Sequence, residues 1–112
     1  MRKKQIDIPI YHGDLVLIKY KHTKDLKKYK LGIKYEYDAV TFKHPHKSGL
    51  TRYVMAFRNC TPSKIAHEAF HCLRYIYDDR GIELTIDTDE PSAYLLGWIV
   101  KQCHNFLSKE RN

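Results

Sequence analysis

The segment from Thr61 to Gly81 constrains the fold more than any other part of the chain. Thr61 can accept a hydrogen bond from the free N–H groups that open a helix. Pro62 then takes the first helical position, where its missing N–H costs nothing. Gly81 stands where a left-handed stop is needed, so the pattern predicts one helix from Pro62 to about Arg80. At about 100° per residue, Ile65, Ala66, Ala69, Phe70, Cys72, Leu73, Ile76 and Tyr77 fall in one broad sector, the expected core face. His67, His71, Arg74, Tyr75 and Asp78 fall in the opposite sector.

Within that helix, residues 67–71 read His-Glu-Ala-Phe-His, an H-E-x-x-H pattern. Residues i and i+4 lie one turn apart on one face, so two imidazoles there can share a small cation, and zinc is the usual one. Glu68 sits beside them, where a base for a metal-bound water belongs. Both histidines point off the core face, which weakens a role as core residues and leaves a plain solvated face as the alternative to a metal site.

A zinc site needs a third protein ligand. A second helix is expected from near Asp89–Pro91 to about Leu107, with Leu95, Leu96, Ile99, Val100, Cys103, Phe106 and Leu107 on its core face. Glu90, Tyr94 and Lys101 fall on the other side. Two helices packed side by side would let Glu90 face His67 and His71 across a groove. Asp87 and Asp89 are rival ligands, and Glu90 also has capping-box spacing from Asp87.

The residues before Thr61 read as strands. Residues 5–12 alternate apolar and polar, with Pro9 keeping that segment at an edge, and Gly13-Asp14 is a turn signal. Leu15 to Ile18 is an apolar run suited to a strand covered on both faces. Thr23 to Leu31 reads as a short helix capped by Thr23, ended by Gly32 and turning its lysines to water. Residues 35–43 and 50–57 are rich in aromatic and β-branched types and predict an antiparallel hairpin. Its loop is His44 to Gly49, whose two histidines read as solvated rather than ligating. Ile82, Leu84 and Ile86 alternate with polar residues and predict a short extended segment. The sum is a single α+β domain over residues 1–112: an antiparallel N-terminal sheet packed on two long helices.

Composition excludes several classes. With 43% hydrophobic and 29% charged residues, the 112-residue chain can build a packed core and is not of disordered type. No apolar run approaches the ~18–20 residues of a membrane span. Met1-Arg2-Lys3-Lys4 is followed by no apolar signal segment, and Cys60, Cys72 and Cys103 suit reduced thiols, so a cytoplasmic location without membrane contact is expected. The net charge of +7 resides entirely in residues 1–34, which hold ten Lys/Arg against three Asp. That third is either a solvated basic surface or a site for an acidic partner. Nucleic acid is not expected, because no nucleic-acid motif accompanies the charge. Nothing in the sequence indicates the oligomeric state.

H-E-x-x-H at 67–71, followed by an acid opening a second helix in Glu90-Pro91-Ser92-Ala93-Tyr94-Leu95-Leu96-Gly97-Trp98, resembles a small gluzincin. The chain is similar, over roughly residues 35–107, to the IrrE/ImmA-type metallopeptidases and to small zincin-like proteins of phages and mobile elements. In that family a compact sheet precedes the motif helix. The resemblance implies a zinc metallopeptidase acting on a protein or peptide substrate. His67, His71 and Glu90 would be the zinc ligands. Glu68 would be the base that takes a proton from the zinc-bound water and passes it to the leaving amine. Tyr94, one turn after Glu90, and Tyr75, four residues after His71, are candidate donors to the oxyanion. The chain departs from the pattern in being short, with no evident extra domain for substrate recognition. Arg74 also lies one turn from His71, where Asp78 at i+4 is expected to draw it aside, unless it holds a substrate carboxylate. The alternative is a catalytically silent zincin-like accessory protein that engages an acidic partner or nucleic acid through the basic third.

Overall fold

The computed structural model describes residues 1–29, 37–46 and 48–108. The architecture is α+β: a four-stranded sheet followed by two long helices. The strands are β1 (Arg2–Asp7), β2 (Asp14–Lys19), β3 (Ala39–Pro45) and β4 (Thr51–Phe57). Their order across the sheet is β1-β2-β4-β3. The sheet is mixed, which corrects the expectation of an antiparallel one. The β1–β2 and β3–β4 hairpins are antiparallel, but they join through a parallel β2–β4 pairing, with Val16 opposite Val54. The described part of the connection after β2, residues 20–29, lies across the sheet face rather than turning back along its edge, and β4 runs alongside β2 in the same sense.

Alternation sends the strand residues to two different cores. Leu15, Leu17, Tyr53, Met55 and Phe57 pack with the two helices. Val16, Ile18, Phe42, Val54 and Ala56 pack on the other face, under Tyr20, Leu26 and Tyr29. That second cover is a 3-10 helix, Thr23–Tyr29, whose Lys24, Lys27 and Lys28 are exposed as expected. The short helix expected from Thr23 is thus of the 3-10 type. Asp25 accepts from the backbone N–H groups of Lys21 and His22, so the turn is capped by Asp25 at its start. The expected end at Leu31–Gly32 and the start of the third strand at residues 35–36 lie outside the described residues.

α1 (Pro62–Arg80) and α2 (Asp89–Ser108) have the expected limits. The Thr61 side chain accepts from Lys64 N, and Gly81 closes α1 at φ 67° with its N–H on the carbonyls of Tyr77 and Asp78. Ile65, Ala69, Cys72, Leu73, Ile76 and Tyr77 are buried as the wheel predicts, but Ala66 and Phe70 are exposed and Glu68 is buried. The core sector is rotated toward β3, because α1 packs on β3 and β4 as well as on α2. The short extended segment expected over Ile82 to Ile86 pairs with no strand and gives way to a 3-10 turn at Ile86. Ile82 packs on the core, whereas Ile86 is 93% exposed in a 3-10 turn, Ile86–Thr88. Thr85 and Thr88 bond each other's backbone there, which makes this threonine pair, not Asp87 and Glu90, the capping box. Pro9 lies in the β1–β2 turn rather than on a strand edge. Pro45, in contrast, ends β3, an edge strand where its missing N–H is tolerated. No described helix is long and apolar enough to cross a membrane.

Candidate functional site

The H-E-x-x-H segment lies mid-helix in α1, with both histidines exposed. The Nε2 atoms of His67 and His71 are 3.1 Å apart and the ring centroids 4.8 Å apart. Two imidazole nitrogens bound at the usual length to one tetrahedral zinc ion are about 3.3 Å apart. The separation of the pair is close to the one a shared cation requires.

Glu68 occupies the side of α1 that meets the sheet, and its side chain is 12% exposed. A buried carboxylate needs donors. Thr41 of β3 supplies one: its hydroxyl donates to Glu68 Oε1 at 2.8 Å, and lies 3.2 Å from the Glu68 carbonyl oxygen. The other carboxylate oxygen, Oε2, lies 3.8 Å from His67 Nε2. One oxygen is thus tied to the sheet and the other is turned toward the histidines. A shallow depression beside them is lined by His67, Glu68, Lys64, Ser63, Asp38 and Ala39, so the start of β3 borders the site.

Thr41 is the residue that reading the sequence missed. It is 27 residues from Glu68 in the chain, and only docking of α1 on β3 brings the two together. A signal was present: Ala39, Thr41 and Lys43 share one face of β3, and polar residues on a strand face turned toward a helix need partners there. Lys43 finds Asp79 at 3.1 Å, and Asp38 finds Lys64 and Arg58, each at 2.8 Å. These bonds, that to Lys64 foremost, hold the Asp38 carboxyl well below the usual carboxylate range.

The acid expected from α2 stands apart from this group. Among the described residues no three His, Cys, Asp or Glu side chains are assembled as a metal-binding set. The Ser92 hydroxyl donates to the Thr88 carbonyl and lies 3.0 Å from the Tyr77 hydroxyl, which docks the first turn of α2 beside Tyr77. Tyr77 is six residues past His71, an offset of roughly 9 Å along the helix. Glu90 is exposed there, and Asp89 rather than Glu90 lines the cleft between α1 and α2 with Phe70 and Leu73. Tyr94 is 77% exposed on α2 and borders neither that cleft nor the depression at His67. Tyr75 is half-buried, with Lys43 Nζ 5.5 Å from its ring centroid. Arg74 and Asp78 line one cleft but form no ion pair with each other, so the expected pairing is not seen. His44 packs edge-on against Tyr29, and His46 bonds Ser48, each away from the candidate site. Cys60, Cys72 and Cys103 are free thiols, and burial pushes Cys103 up to about 12.

Comparison with protein-family models, with curated proteins and with solved structures returns no match.

Proposed function

We propose that the chain is a zinc-dependent peptide hydrolase of the gluzincin type, and that Glu68 is its general base. One observation carries this reading: Thr41 ties down Oε1 of Glu68 while Oε2 faces two imidazoles whose Nε2 atoms are close to the separation a shared cation requires. A solvated helix face does not need a buried carboxylate oriented from a neighbouring strand.

His67 and His71 fit zinc in chemistry and separation, and the resemblance suggests Glu90 as the third ligand, although it is not assembled with them in this structure. Bound there, zinc would supply the Lewis acidity that acidifies a water and polarises a carbonyl. The chain's own residues do the rest. Glu68 accepts a proton at Oε2 and carries it to the departing amine. Thr41 keeps Oε1 occupied, so the free lone pairs stay on the oxygen nearest the histidines. β3 is an edge of the sheet bordering His67 and Glu68, and an extended peptide can pair with such an edge through its backbone. That supports a protein or peptide substrate.

Zinc in the purified protein should be near one ion per chain and should fall on His67→Ala or His71→Ala. Full loading of the double histidine variant would overturn the ligand assignment. Glu90→Ala and Asp89→Ala, compared for zinc affinity, identify the third ligand. Glu68→Gln should keep the metal and lose cleavage of a denatured protein substrate, since Gln preserves the acceptor for Thr41 but cannot take a proton.

A second reading has its own observation. An Nε2 to Nε2 separation of 3.1 Å is also that of one N–H donating to the other ring, a metal-free pair. On that reading the chain is an accessory binding protein of the same shape. Absence of zinc together with unaltered folding of the histidine variants would favour it.

A further inference from the structure

The sheet separates charge. The ion pairs formed between described residues join Lys43 to Asp79 and Asp38 to Arg58 and Lys64, all on or beside the seam between β3 and α1. The opposite face, under the 3-10 helix, is different. Alternation and register place Lys3 of β1, Arg52 of β4 and His44 of β3 on that face, and Lys24, Lys27 and Lys28 project from the 3-10 helix above it. The four lysines are exposed, and neither they nor Arg52 form an ion pair with another described residue. Arg52 Nε is buried without a hydrogen-bond partner. The electrostatics show these groups acting on one another: burial first, then the charges of Arg52, Lys3, Lys28 and His46, hold His44 below its ordinary range. Of the acids on this side, Asp14 accepts from the Gln5 side-chain amide and Asp25 from the backbone at the start of the 3-10 helix, while Asp7 at the end of β1 is exposed, so the cations stay in excess.

We propose that this face binds the phosphate backbone of duplex DNA without reading its sequence. Cations supplied by two strands and a helix match a repeating anion rather than a single one. A protein partner would call for an apolar centre to the patch. Here the apolar side chains Val16, Ile18, Leu26, Phe42 and Val54 are all buried, and what the patch offers water is polar, with cations in the majority. A membrane surface would call for the same missing apolar insertion. No long helix is presented for a groove, so contacts go to phosphates and carry no sequence information. This is why motif reading gave no sign of it. The inference does not depend on the hydrolase reading, since His67 and His71 lie on the far side of the sheet.

The test is binding of a short fluorescent mixed-sequence duplex to the full chain across a salt series. If Lys3, Lys24, Lys27, Lys28 and Arg52 each neutralise one phosphate, log K falls against log salt with a slope of about −4 to −5. Lys27→Glu and Lys28→Glu should each weaken binding several-fold and lower the slope by about one unit. Lys101→Glu, the same charge change on exposed α2, should leave both unchanged. His67→Ala should bind DNA normally whatever its zinc content. A flat salt response, or equal loss with Lys101→Glu, overturns the proposal. So does polyglutamate that binds as tightly as the duplex, which would make the face one for an acidic protein. Far-ultraviolet circular dichroism of each variant confirms that the fold is kept.

Discussion

The Thr41 hydroxyl carries one proton and has two acceptors within reach, both on Glu68. The shorter contact, to a carboxylate oxygen, wins because a charged acceptor strengthens the bond. Removing that donor while keeping the shape of the side chain isolates its role. Thr41→Val leaves Oε1 buried and unsatisfied and should cost about 1–3 kcal/mol in urea unfolding. Thr41→Ser should restore most of it. On the hydrolase reading, Thr41→Val also lowers kcat while zinc content stays at the native level, because the ligands are untouched. At this scale the sequence was informative about type and spacing only. His67, Glu68 and His71 announce themselves by their separation along a helix. Thr41 cannot, since nothing local distinguishes it from any other strand threonine. Glu90 stands out for the opposite reason: its position off the core face of α2 is legible, yet that does not determine where the first turn docks.

Among elements, α1 and β3 share a polar seam that runs with the helix: Lys64 to Asp38, Glu68 to Thr41, Asp79 to Lys43. Two carboxyls in it titrate below their ordinary range. Asp38 does so through Lys64 first and Arg58 next. For Asp79 burial pushes upward, but the bonds from Tyr53 and Lys43 outweigh it. A carboxyl depressed in the folded state stabilises above the unfolded pKa, near 3.9, and loses that contribution as pH falls toward the folded value. The melting temperature should therefore fall in acid below about pH 5, beyond the decline that His44, depressed in the folded state, begins below about pH 6.5, and Asp38→Asn should make the acid fall shallower. An acid limb unchanged in Asp38→Asn would show that the seam contributes nothing. The helices themselves were readable because Thr61, Pro62 and Gly81 are local signals. The segment after Gly81 was not. Its alternation satisfies the period of a strand, but the mutual bonds of Thr85 and Thr88 close it into a turn, a competing local chemistry that periodicity does not register.

For the molecule as a whole, the layered α+β plan was legible from the order of strand and helix patterns, while the sense of the central pairing was not. Two hairpins can be joined along either edge and in either direction, and the apolar runs Leu15–Ile18 and Tyr53–Phe57 suit both arrangements. The choice depends on the connection between β2 and β3, whose length permits a crossing over the sheet.

That parallel seam has a kinetic consequence. Each hairpin closes over a short stretch of chain and can form early, but Val16 meets Val54 only after the intervening segment has been spanned. Until then β2 and β4 each show an unpaired apolar edge to the solution, the form most prone to pair with another chain. Val54→Ala should therefore slow refolding as well as speed unfolding, and refolding yield should drop as protein concentration rises. Stopped-flow kinetics at two concentrations would measure both. A Val54→Ala change felt only in the unfolding rate would place the seam after the rate-limiting step. The join at the centre of the sheet is in this sense the last thing the chain assembles and the first place where a crowded solution can intervene.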